Sequence, residues 1–120
     1  MSFSPVIPIL RSFDEAKARE FYVDWLGFEV RFEHRFGPGM PLYMEVARGG
    51  CKLHLSEHHG DGTPGSHVRI QVDDLEAYFA ELQARPYKHY RPSLQDQDWG
   101  MRELVVKDGA GNALIFYRPL

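Results

Sequence analysis

The sequence predicts an α+β chain built from two tandem copies of a strand–helix–strands unit, forming two half-sheets around a cavity. The first observation is an internal repeat. Asp14-Glu15-Ala16-Lys17-Ala18-Arg19-Glu20-Phe21-Tyr22 is answered 60 residues later by Asp74-Leu75-Glu76-Ala77-Tyr78-Phe79, in a chain of 120. The second is its setting: each copy follows a short β-type run and precedes strand pairs punctuated by glycine. A repeat of this length dictates architecture ahead of any local signal.

Val6 to Arg11 reads as a first strand, held to an edge or rim because Pro8 lacks an N–H. Ser12 or Asp14 can cap the helix that follows. Ala18, Phe21, Tyr22, Trp25 and Leu26 then recur at helical spacing, and Gly27 ends the helix in a left-handed conformation. Phe28 to Phe36 reads as a strand, followed by the turn Gly37-Pro38-Gly39. Leu42 to Ala47 and Cys51 to Glu57 flank Arg48-Gly49-Gly50, a hairpin signal. His58 to Gly65 connects the units.

The second unit keeps this order. His67 to Asp73 is a strand, and Leu75, Tyr78, Phe79 and Leu82 stripe a helix. Arg85 to Pro92 is read as a strand with a less regular pattern. Gln95 to Gly100 is a polar loop carrying Trp99. Arg102 to Lys107 and Ala113 to Arg118 flank the turn Asp108-Gly109-Ala110-Gly111-Asn112. The expectation is one domain over residues 1–120, with a first module of about 1–59 and a second of about 64–120.

Composition removes several classes of function. A net charge of −3 does not suit a nucleic-acid surface, and no apolar run approaches spanning length. The first residues lack the pattern of a signal peptide, and Cys51 is the only cysteine, so a cytoplasmic location is expected. Cys51 begins a strand on the apolar parity and reads as a buried thiol. His58-His59 reads as part of a solvated loop, and Asp73-Asp74 as helix capping.

Strand parity assigns faces. Val68, Ile70 and Val72 pack on the helices, as do Leu53 and Leu55. His67, Arg69 and Gln71 point into the cavity with Lys52, His54 and Ser56. Ile7, Ile9 and Arg11 join them from the first strand, and Ala113, Ile115 and Tyr117 from the last. That face mixes charge, polarity and aliphatic surface. A purely structural face would be more uniform.

Phe21-Tyr22 with Leu26-Gly27-Phe28, Val72-Asp73-Asp74-Leu75 and the turn Asp108 to Asn112 resemble, in the right order, the signatures of the vicinal oxygen chelate superfamily. That group includes glyoxalases, extradiol dioxygenases, fosfomycin-modifying enzymes and bleomycin-binding resistance proteins. Trp99-Gly100 ahead of Arg102-Glu103 is most similar to the bleomycin-resistance branch. The resemblance implies paired βαβββ modules forming a cupped mixed sheet, the glyoxalase/bleomycin-resistance fold, in a homodimer. Gly109 replaces the proline of the family's final turn. The stretch from Trp99 to Asp108 is one residue longer, which leaves the parity of Met101 to Val105 open.

By the resemblance, enzymes of this group ligate a divalent metal from their first, fourth, fifth and eighth strands. The repeat places those positions here at Ile7, His54, His67 and Ile115. Isoleucine offers no donor, and two histidines fall short of a catalytic ligand set. The expectation is therefore no catalytic residue, no cofactor and no metal, with His54 and His67 as candidate metal ligands that fall short unless a neighbour such as Glu57, His58 or His59 helps. Trp99 on its polar loop is expected to stack on a planar ligand, helped by Phe36 and Tyr43. His54, His67 and Arg69 would line the site, and carboxylates such as Asp96, Asp98 or Glu103 would meet positive charge.

The function expected is that of a bleomycin-resistance-like protein. It would sequester a cationic, partly aromatic small molecule or antibiotic in a cleft without turnover. The alternatives are a metal-dependent enzyme of glyoxalase or dioxygenase type, in which metal would polarise a substrate oxygen pair, and a metabolite binder of unspecified ligand.

Overall fold

A computed structural model describes residues 1–85, 87–89 and 91–120. Strand β1 (Ile9–Arg11) leads into helix α1 (Glu15–Ala18), which continues directly as a π-helical segment (Arg19–Trp25). Strands β2 (Glu29–His34), β3 (Tyr43–Arg48) and β4 (Cys51–Ser56) complete the first unit. The second runs β5 (His67–Gln71), α2 (Leu75–Ala84), β6 (Leu94–Asp96), β7 (Met101–Lys107) and β8 (Ala113–Pro119). The two units form two four-stranded mixed sheets, ordered β1-β4-β3-β2 and β5-β8-β7-β6. Among the described residues, only the β1–β4 and β5–β8 pairings are parallel. Two βαβββ modules are thus present, as the repeat requires.

Both helices start alike. Asp14 accepts from the Lys17 N–H at 3.0 Å and Asp74 from the Ala77 N–H at 3.1 Å, each satisfying a donor the first turn leaves free. Of the two capping residues open in the sequence, Asp14 is the one used. The π register shows in the bond from the Leu26 N–H to the Phe21 carbonyl at 3.0 Å, five residues back. With the wider turn Phe21, Tyr22, Trp25 and Leu26 are all buried. Gly27 then takes φ +79° and the Phe28 N–H reaches back to the Tyr22 carbonyl at 2.9 Å, closing the helix.

The helices share one core with the inward faces of both sheets. Leu10, Met44, Val46, Leu53 and Leu55 come from the first sheet, and Leu104, Val106, Leu114 and Phe116 from the second. Val68, Ile70 and Val72 pack against that core on the expected parity. Leu104 and Val106 are buried, so Met101, Glu103 and Val105 belong to the opposite face, which resolves the register left open by the longer segment. Ser56 and Ala113 depart from expectation. Both lie on the open-face parity yet are fully enclosed. Ser56 Oγ is taken up by Asp61 at 2.9 Å beneath the connecting loop.

Three expectations are corrected. The first strand begins at Ile9 rather than Val6, although the His54 N–H still bonds the Pro8 carbonyl at 3.0 Å. No strand occupies Arg85 to Pro92 among the described residues. Pro86 and Tyr90 of that stretch lie outside them. The outer strand is instead Leu94–Asp96, inside what read as a polar loop, because Leu94, Gln95 and Asp96 pair with Leu104, Glu103 and Arg102.

The modules are stitched across their boundary by buried polar groups. Asn112, fully enclosed, donates to the Arg11 carbonyl at 2.8 Å and accepts from the Ser66 N–H at 3.2 Å. Tyr22 donates to Asp108 at 2.6 Å. At the C-terminal end of the first helix, the Leu26 carbonyl accepts from the Tyr78 hydroxyl at 2.8 Å and from Arg48 at 2.9 Å. Cations and donors here complement the helix's negative end. No helix among the described residues is long and apolar enough to cross a membrane.

Candidate functional site

The sheet faces turned away from the helices carry two side-chain clusters. On the second sheet, Trp99 sits in the turn before β7, 63% exposed. Its indole N–H donates to Glu103 Oε2 at 3.1 Å. Glu103 is almost fully enclosed, and the same oxygen meets Arg69 at 2.9 Å. The Arg69 guanidinium lies 4.4 Å above the Tyr117 ring, a cation–π arrangement. A buried carboxylate holding two charge-assisted or N–H partners is a stiff anchor. It fixes an exposed indole and a half-exposed guanidinium on one surface.

On the first sheet, His54 links two neighbours. Tyr43 Oη is 2.6 Å from Nδ1 and Glu45 Oε1 is 3.0 Å from Nε2. One assignment satisfies all three groups: Nε2–H donates to Glu45 while Nδ1 accepts the Tyr43 hydroxyl. Burial pushes the Tyr43 phenol above its ordinary pKa, and the nearby Asp61 and Glu45 charges add to this. Phe32 covers the pair, its ring stacked 6.4 Å from Tyr43 and edge-on 5.5 Å from His54.

These residues do not fit a metal. The single lone pair of His54 is engaged by Tyr43, and His67 lies on the other sheet, exposed at the start of β5. Ile7 and Ile115, which supply no donor, complete the set that the resemblance implied. Among the described residues no three His, Cys, Asp or Glu side chains converge as a cage would require.

The structure therefore brings Trp99, Glu103 and Arg69 together, and separately Tyr43 and His54. Phe36 is exposed beyond β2, its ring edge-on to His34 at 4.6 Å and to His58 at 5.7 Å. It lies in the β2–β3 connection, as Trp99 lies in the β6–β7 connection. Asp98 is exposed beside Trp99. Asp96 falls on the helix-facing parity, where Arg102 grips it at 2.6 Å. Of the three carboxylates expected to meet positive charge, Asp96 and Glu103 already face arginines. His58 is half-buried rather than solvated, with Nε2 enclosed and without a partner among the described residues, whereas His59 is exposed.

Glu45 and Tyr117 complete the two clusters. Tyr117 was legible from strand parity. Glu45 was not singled out, yet the two-residue turn at Gly49-Gly50 pairs Arg48 with Cys51 and hence Glu45 with His54. That register was a usable signal.

A cavity of about 690 Å³ lies elsewhere, between the β3–β4 turn and the start of α2, lined by Cys51, Asp73, Asp74 and Tyr78 among others. Burial pushes the Cys51 thiol up, away from reactivity. The matching groove of the other module, at Ser12, Asp14, Tyr22 and Asp108, holds only about 90 Å³. There the longer Asp108–Asn112 turn, pinned by Tyr22 and Arg11, occupies the space.

A search of curated proteins finds no match. Among solved structures, the chain is similar to a bleomycin-binding protein complexed with bleomycin, at 22% identity and a TM-score of 0.75, covering 98% of this chain and 100% of that one. It is similar to a bleomycin-binding protein from bleomycin-producing Streptomyces verticillus complexed with copper(II)-bleomycin. That match has 29% identity, a TM-score of 0.70, and coverage of 97% and 96%. It is also similar to TnmS3, an antibiotic binding protein from Streptomyces sp. CB03234, at 22% identity and a TM-score of 0.68, covering 100% and 99%. The matches near 22% establish the fold, that of the glyoxalase/bleomycin-resistance proteins. The family model described as glyoxalase superfamily protein matches residues 1–119, and the chain belongs to the glyoxalase superfamily.

Proposed function

We propose that this protein binds a partly aromatic small molecule on its open sheet faces and holds it without chemical change. The observation that carries the reading is Trp99: a large, solvent-exposed indole held in place by a buried carboxylate. Exposed aromatic surface costs stability in water, and fixing its orientation serves a partner that stacks on it. The bleomycin-binding protein from S. verticillus, similar over nearly the whole chain, supports this choice within the family. Phe36 and Tyr43 supply further ring surface, and His54, His67, Arg69, Asp98 and Glu103 the polar rim. The ring carries this reading rather than the charge expected of the ligand, because Asp96 and Glu103 already face arginines.

A homodimer belongs to the same proposal. Ile9, Phe32 and Val105 are 45%, 42% and 39% exposed on the open faces, and a second copy laid over them would turn an open surface into a cleft. Sedimentation velocity at micromolar concentration tests it. A single species near twice 13.9 kDa is expected, and a monomer throughout would reject the dimer.

The binding function is tested by titrating a set of planar aromatic antibiotics, bleomycin among them, while following tryptophan emission. Trp25 is buried, so a saturable change absent from the Trp99→Phe variant reports Trp99. No saturable change with any member up to high micromolar concentrations would reject the reading. The metal-dependent alternative would be revived by glyoxalase turnover after loading with nickel or zinc.

A further inference from the structure

The open faces carry Arg11, Lys52, Arg69 and Lys107 together with Glu29, Glu45 and Glu103, and Asp98 lies in the turn beside Trp99. Glu45 and Glu103 are largely enclosed, with side chains 13% and 5% exposed, and both are already engaged, by His54 and by Arg69. On the second sheet a ligand stacked on Trp99 therefore finds Glu103 taken and the Arg69 guanidinium presented to it.

Arg69 is the member of this set placed to act. Among the described residues its guanidinium makes two contacts, Nη2 to Glu103 and the face-on approach to Tyr117. A guanidinium carries five N–H donors in a rigid fork. One oxygen neighbour leaves most of them available, and the side chain is 43% exposed. Glu103 also fixes Trp99, so stacking surface and anion-accepting fork are oriented by the same buried carboxylate.

We propose that the ligand is a planar aromatic acid, carrying a carboxylate or phenolate that Arg69 receives while the ring lies on Trp99. The inference rests on the binding function proposed above and names the ligand class for that site. Lys107 and Lys52, exposed on the same faces, reinforce the field.

The test uses three probes of one ring system in isothermal titration calorimetry: 2-naphthoate, 2-naphthamide and 2-naphthylmethylammonium. The wild-type protein should bind the carboxylate at least about tenfold more tightly than the ammonium, as a charge-assisted contact implies. Arg69→Gln should erase the preference for the carboxylate over the ammonium, and Arg69→Lys should restore part of it. Equal or tighter binding of the ammonium overturns the proposal, and so does an Arg69→Gln variant that keeps the full preference. The wild-type comparison stands even if a variant fails to fold. Binding of all three probes without charge preference would overturn the ligand class alone. Binding of none would overturn it together with the binding function.

Discussion

Arg48 and Glu81 join the two modules through a two-pronged ion pair, Nη1 to Oε2 at 2.5 Å and Nη2 to Oε1 at 2.8 Å. Arg48 ends β3 of the first module and Glu81 lies on α2 of the second. The same Nη1 also donates to the Leu26 carbonyl, so one side chain caps one helix and grips the other. The hydrogen bonds from Arg48, with those from Arg85, hold the Glu81 carboxyl at about 2, well below its ordinary 4.5. The side chains are 39% and 32% exposed, so solvent screening limits the pair to on the order of 1 kcal/mol. A folded-state pKa below the unfolded one stabilises fully above pH 4.5, and the gain is lost as pH falls toward 2. Glu81→Gln should lower the melting temperature by roughly 3–5 °C at pH 7, with the gap to wild type closing by about pH 2. Thermal unfolding followed across that range checks it. A gap unchanged down to pH 2 would count against the pair.

Gly27 separates two costs. Its φ of +79° disfavours any side chain, and a Cβ there would stand 2.5 Å from Arg48 Nη1. Gly27→Ala should destabilise by about 2–3 kcal/mol in urea unfolding, strain and displacement of Arg48 together. Gly49, at φ +56° with nothing within 4 Å, isolates the backbone part. Gly49→Ala should cost about 1 kcal/mol. Equal losses at the two sites would mean that Arg48 yields freely.

Asn112 ties the second-module turn to the first module. Asn112→Ala strands the Arg11 carbonyl and the Ser66 N–H in an enclosed site, costing about 2–4 kcal/mol. Asn112→Asp should be worse at pH 7, because its new charge would face Asp108, now 2.9 Å from the amide nitrogen. It should recover partly as pH falls through the carboxylate range. Chemical denaturation at pH 7 and pH 4 measures this. No recovery in acid would contradict the geometry.

Glu103 is expected to govern Trp99. Glu103→Gln should loosen the indole, lower its emission anisotropy and weaken binding of an aromatic ligand about tenfold. Trp99→Ala should weaken the same ligand by about tenfold or more through lost stacking. Anisotropy and calorimetry on the same samples decide. A Glu103→Gln variant with wild-type anisotropy would show that the turn alone fixes Trp99.

Much of this architecture was legible in sequence because the repeat sets it. The 60-residue offset located both helices, and the turn glycines Gly50 and Gly111, each four residues earlier, set the equivalence of His54 with Ile115. Parity placed Arg69 and Tyr117 on one face, where they stack. The π register of Arg19–Trp25 was hidden because the stripe at 18, 21, 22, 25 and 26 satisfies both turn widths. Strand β6 was hidden because Gln95 and Asp96 are polar on an outer strand, where one backbone edge suffices. The Arg48–Glu81 clasp joins residues 33 apart through tertiary packing, which no local pattern encodes. Neutralisation of Asp96 depends on β6 pairing, so missing that strand also misassigned its carboxylate.

Native mass spectrometry on the protein saturated with an aromatic ligand tests the central claim most directly. The account predicts a fixed ligand-to-chain stoichiometry and, after denaturation, a released ligand of unaltered mass on prolonged incubation with or without added divalent metal. Release of a mass-shifted product would contradict it.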